Sequence, residues 1–93
     1  MKLKIIGPNQ TSLHFDEMIV FFSYETPVAA IVQMTSGLWK MLTTSKRHSN
    51  TTTKHINKFV DENKFLVQGI TEHKEQEYFD NLRFITILPD NHF

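Results

Sequence analysis

From the N-terminus, the chain runs in short apolar stretches of strand length separated by turn formers. Lys2 to Ile6 predicts a strand that stops at Gly7-Pro8-Asn9. Thr11 to Phe15 alternates, with Leu13 and Phe15 on one face and Ser12 and His14 on the other. Past the polar corner Asp16-Glu17, Met18 to Tyr24 is apolar and aromatic: Met18, Val20, Phe22 and Tyr24 point one way, Ile19 and Phe21 the other. A strand apolar on both faces belongs inside a sheet that is covered on both sides. Glu25-Thr26-Pro27 turns the chain, because Pro27 fixes its own φ and keeps Thr26 extended. Val28 to Met34 and, past Thr35-Ser36-Gly37, Leu38 to Leu42 complete an antiparallel meander over residues 2–42.

The period then changes. Residues 43–50 contain no apolar side chain and predict a basic loop. A helix follows over about residues 51–62, with Ser49, Asn50, Thr51 and Thr52 all suited to cap it. Ile56, Phe59 and Val60 form its apolar stripe, His55 borders the stripe, and Lys54, Asn57 and Lys58 lie away from it. Asn63 is placed to end the helix as its C′ residue. Phe65 to Val67 predicts a short strand before Gly69. Thr71 would cap a second helix over about residues 72–82, with Glu72 and Glu75 in its first turn and Tyr78, Phe79 and Leu82 as its stripe. Phe84 to Leu88 reads as a closing strand ended by Pro89. The expected fold is therefore α+β: one domain over 1–93, a mainly antiparallel three- to five-stranded sheet with two short helices packed on it.

Composition narrows this picture. Ninety-three residues suffice for one hydrophobic core, and eight Phe with Trp39, Tyr24 and Tyr78 supply its large pieces. The absence of cysteine excludes disulfides, thiolate metal sites and cysteine nucleophiles, and fits a reducing compartment. No apolar run reaches the roughly 18 residues of a membrane span. The apolar run at the N-terminus is too short for a signal peptide, so no membrane association is expected. The zero net charge hides a polarised layout: residues 26–60 carry five basic residues and no acid, whereas residues 61–82 carry six acids against two lysines. Such separation suits a binding face or a self-complementary contact, and a homodimer is one outcome it permits.

Candidate chemistry concentrates at the start of the first helix. A helix N-terminus offers free amides and partial positive charge, and here it is flanked by hydroxyls and cations. Lys46, Arg47, Thr51, Thr52, Lys54, His55 and Lys58 are the candidate anion-binding residues, suited to a phosphate. The plainer reading of the same residues is that threonines cap, lysines solvate, and Ile56 and Phe59 pack. Trp39-Lys40 followed by Lys46-Arg47-His48 could also meet a nucleic-acid backbone, although such binders normally carry a basic total. The five histidines lack metal-ligand spacing, so neither a metal nor a cofactor is expected. Asp16 and Glu17 face apart as strand neighbours, and Ser23 and Ser45 have no nucleophile elbow. Catalysis is not expected.

Three segments, Phe21-Phe22-Ser23-Tyr24-Glu25-Thr26-Pro27-Val28-Ala29-Ala30, Thr51-Thr52-Thr53-Lys54-His55-Ile56-Asn57-Lys58-Phe59 and Gln76-Glu77-Tyr78-Phe79-Asp80-Asn81-Leu82, carry a resemblance. They resemble a family of small uncharacterised proteins found mainly in bacteriophages, with FFSYETPVA-like, TTSRHINKW-like and QEFIDNL-like motifs. Thr53, Lys54 and Phe59 depart from that pattern, and a lysine at position 54 cannot hold a phosphate in two-pronged fashion as arginine would. The resemblance implies a phage origin and hence the host cytoplasm, and it carries no activity. On these grounds the leading expectation is a non-enzymatic phage accessory protein that binds a host macromolecule, a host protein slightly ahead of nucleic acid. The alternatives are a binder of a phosphorylated small ligand or signalling nucleotide at Thr51 to Lys58, and a nucleic-acid-binding protein.

Overall fold

The computed structural model describes residues 2–86 and the side chains of residues 2–82. Its elements are β1 (Lys2–Gly7), β2 (Gln10–His14), β3 (Met18–Ser23), β4 (Thr26–Gln33), β5 (Trp39–Thr44), α1 (Asn50–Asn63), a 3-10 turn (Lys64–Leu66), β6 (Glu72–Lys74) and α2 (Gln76–Thr86). The strands form a six-stranded sheet in sequence order. Each of β1 to β5 pairs antiparallel with the next, and β6 runs parallel to β5. The fold is α+β, but with six strands rather than the expected three to five and with one parallel pair.

The alternation in β3 is the key to the layering. Phe21, with Ala29, Ile31 and Met41, packs under Phe59 of α1 on one side. Val20, with Ala30 and Leu42, packs under Phe79 and Leu82 of α2 on the other. The two helices thus cover opposite faces, which is why β3 and β4 are apolar on both. Phe21 pairs with Ala29 but Phe22 with Pro27, so Val28 is an extra residue in β4. This β-bulge falls beside Pro27, which cannot donate to the ladder. The β3–β4 turn holds Tyr24 at φ +59°, a left-handed conformation that is unusual for a bulky residue. Gly37, at φ +91°, makes the β4–β5 turn that the Thr35-Ser36-Gly37 signal predicted.

Three expectations fail downstream of α1. Phe65 to Val67 is not a strand: with no breaker after Asn63, the helix tightens into the 3-10 turn at Lys64–Leu66. Thr71 does not cap a helix, because Glu72–Lys74 is β6. Lys40 forms an ion pair with Glu72, and Thr43 Oγ1 lies 2.9 Å from His73 Nδ1, so pairing with β5 overrides the preference of acids for a first helical turn. The second helix therefore begins at Gln76, and it runs through Phe84 to Thr86, where a closing strand was expected. The rest of that predicted strand, Ile87 and Leu88, lies outside the described residues.

Candidate functional site

The loop between β5 and α1 decides how the predicted site residues are placed. Ser49 is the N-cap of α1, its hydroxyl accepting from the Thr52 amide at 3.2 Å. Thr52 is buried, and its own hydroxyl accepts from Ser23 Oγ at 3.0 Å. His55, half-buried one turn later, places Nδ1 2.8 Å from the same Ser23 oxygen. Ser23 has one hydroxyl proton, so when it donates to Thr52 the imidazole proton on Nδ1 completes the second bond. The Tyr24 ring leans on His55 with centroids 5.9 Å apart. This hydroxyl–imidazole tie joins the end of β3 to the first turns of α1, and the stacked rings of Phe21 and Phe59 continue it into the core.

Ser23 and His55 stand at the spacing of a nucleophile and its base. Ser23 is nevertheless only 1% exposed, and its oxygen is committed to two partners. The geometry is that of a buried fastening. The sequence held a signal for it: Ser23 follows Ile19 and Phe21 on the α1-facing side of β3, so a serine occupies a core-facing slot and needs a polar partner.

The other predicted residues separate. Thr51, Lys54 and Lys58 are exposed on α1, and Arg47 is exposed in the loop. Lys46 alone of the seven lines a cleft of about 450 Å³ between α1 and the β5–β6 edge. One wall of the cleft is a stripe of α1: Thr53, Ile56, Asn57 and Val60. The other wall is Thr43, Thr71 and His73. At the far end Lys64 pairs with Asp61 at 3.1 Å. Lys46 makes no ion pair among the described residues.

A second polar network fixes the loop that carries Lys46. Gln76, in the first turn of α2, accepts at Oε1 from Thr44 Oγ1 at 2.8 Å, and His48 Nε2 lies at the same distance. Its amide donates to the Pro27 carbonyl at 2.8 Å and to Asp80 at 3.1 Å. The Lys46 amide in turn donates to Thr44 Oγ1 at 3.1 Å. Composition could not have pointed to Gln76, since apart from Asp80 its partners Thr44, His48 and Pro27 are all distant in the sequence.

A further surface was not foreseen. Among the described residues, five of the eight exposed large hydrophobics are Met34, Leu38, Phe65, Leu66 and Ile70. They fall in two loops that Trp39 and Gln68 hold together: the Gln68 amide donates to the Trp39 carbonyl at 2.9 Å, and the Trp39 amide to Gln68 Oε1 at 3.0 Å. Phe65 is 77% and Ile70 85% exposed. Among the described residues no cluster of His, Asp or Glu could hold a metal ion, and no helix is long and apolar enough to cross a membrane.

Comparison with known proteins places the chain in a family. The model of DUF8033, a family of unknown function, matches residues 1–81, and the chain belongs to that family. The match covers β1 to β6, α1 and the first turns of α2. Neither a curated protein nor a solved structure matches the chain.

Proposed function

We propose that this member of DUF8033 is a non-enzymatic docking protein that binds a host protein through the apolar loops Met34–Leu38 and Phe65–Ile70. The observation that carries the reading is the exposure of Phe65 and Ile70 on a loop that Gln68 ties to Trp39, the residue after exposed Leu38. Single exposed apolar residues need no explanation, but several carried on two loops that hydrogen bonds tie together have the composition of an interface centre. The neutral net charge favours a protein over nucleic acid, whose backbone is met by a basic total. The motif resemblance supports a phage origin and action in the host cytoplasm, where a small accessory protein would meet such a partner.

Site-specific photo-crosslinking tests the proposal. A crosslinking residue placed at Phe65 or Ile70 captures one nuclease-resistant host protein, and the same group at Lys58 does not. Phe65→Ser and Ile70→Ser abolish capture while the circular dichroism spectrum is unchanged. Three results overturn the reading: capture that depends on nucleic acid, capture equally strong from Lys58, or a concentration-dependent homodimer that Ile70→Ser dissolves.

A further inference from the structure

The geometry points to a second binding site, independent of the apolar loops: we propose that the cleft between α1 and the β5–β6 edge takes a phosphomonoester the size of a mononucleotide, with its phosphate at Lys46. The volume, about 450 Å³, lies in the range of small-molecule sites. The lining is graded along its length. At the α1 N-terminal end, Lys46 offers the cation, while the Thr53 hydroxyl beside it donates to the Ser49 carbonyl at 3.1 Å and presents its lone pairs to a ligand hydroxyl. In the middle, Ile56 and Val60 provide an apolar wall, with Asn57 between them able both to donate and to accept. Across the cleft, His73 has Nδ1 engaged by Thr43, which fixes its ring and leaves Nε2 as the nitrogen available to a ligand. From Thr53 to Lys64 the helix rises about 16 Å, enough for a phosphate, a sugar and a ring in line.

Two features mark the cleft as held in shape. Gln76 fixes Thr44, and Thr44 fixes the Lys46 amide, so the cationic end is anchored by α2 from the opposite face of the sheet. The parallel step from β5 to β6 carries α1 across this edge, and Lys46 stands two residues past the carboxyl end of β5, where that crossover begins. This site differs from an anion site at the α1 N-terminus itself, since the Thr52 amide there is already taken by Ser49.

Isothermal titration of the full chain with AMP, GMP, CMP, UMP and inorganic phosphate tests the site. At least one mononucleotide saturates the protein below about 1 mM and binds more tightly than phosphate alone. Lys46→Ala weakens it by about tenfold or more, Asn57→Trp blocks it sterically, and Lys58→Ala changes it less than about twofold. Circular dichroism and thermal melts establish that each variant is folded. The proposal is overturned if no mononucleotide saturates the protein, if folded Lys46→Ala or Asn57→Trp binds like the parent, or if Lys58→Ala costs as much as Lys46→Ala. Phe65→Ser leaves this binding intact, so the cleft and the apolar loops fail or succeed separately.

Discussion

Replacing Ser23 by alanine removes one hydroxyl on which two other side chains depend. Its oxygen lies 3.0 Å from Thr52 Oγ1 and 2.8 Å from His55 Nδ1, and the residue is 1% exposed. Each hydrogen bond contributes about 0.5–1.5 kcal/mol net, and an abandoned buried partner adds its own desolvation cost. Here that added cost is moderated. Thr52 Oγ1 keeps a donor in Ser49 at 3.3 Å, and half-buried His55 can turn toward water. The expected loss is therefore about 2 kcal/mol, or a melting temperature lower by about 8–16 °C for a domain of this size.

Urea denaturation followed by circular dichroism measures the loss, and an unchanged slope keeps the comparison two-state. A cycle with His55→Ala isolates the pair, with an expected coupling of about 0.5–1.5 kcal/mol. Additive single variants, or a Ser23→Ala loss below about 0.5 kcal/mol, would refute the view that Ser23, Thr52 and His55 fasten β3 to α1. The result also bears on two of the predicted anion-binding residues, Thr52 and His55, because it measures how far their polar atoms are committed inside the fold.

Phe59→Ala should cost about 3–5 kcal/mol, because the ring is 4% exposed and stacks on Phe21 at 4.5 Å; chemical denaturation reads it, and a loss under about 1.5 kcal/mol would deny α1 its anchor. Tyr24→Gly should stabilise the β3–β4 turn by about 1 kcal/mol net of the lost His55 contact, since φ +59° suits glycine; a lower melting temperature would show that the ring contributes more than the strain costs. Burial first, then Lys4 and Lys2, hold the His14 imidazole below its ordinary value. The unfolded chain therefore binds the proton more readily, and stability should fall as pH drops through about 6.5 toward the folded value and level off below it. His14→Asn should flatten that part of the pH–stability curve, and an unchanged slope would assign the proton uptake elsewhere.

Periodicity carried the N-terminal half of the fold because each antiparallel strand there is specified by its own residues and the turn that follows it. Gly7-Pro8-Asn9, Asp16-Glu17 and Thr35-Ser36-Gly37 each fall within two residues of an observed strand end. Glu72–Lys74 could not be read in this way. It has no apolar alternation and becomes a strand through its partners Leu42, Thr43 and Thr44, about thirty residues earlier. Its acids, placed where a first helical turn would want them, pointed to the wrong element. The candidate site divides along the same line. Ser49, one of four predicted caps, is a local choice that a capping rule can reach. The cleft, Gln76 and the Ser23–His55 bond are long-range, and no window of sequence contains both sides of any of them.

That division bears on where binding surface arises in this fold. Antiparallel neighbours need only tight turns, and the first five strands accordingly expose little between them besides turn residues and the β1 edge, where Leu3 and Ile5 are open on one face and Lys2 and Lys4 on the other. Lysines on an edge strand discourage pairing with a second chain, so that edge protects itself. The parallel step from β5 to β6 has a different consequence. It requires a long crossover, which here contains α1 and the 3-10 turn and ends in the three-residue β6. Beside it lie the cleft on the inner side and, where the crossover returns past Trp39, the loop on which Phe65 and Ile70 are exposed. The cleft and the Phe65–Ile70 half of the apolar surface thus both lie on the crossover from β5 to β6. Deleting β6 pairing by Glu72→Pro should therefore impair nucleotide and partner binding together, whereas Lys46→Ala and Ile70→Ser each impair only one.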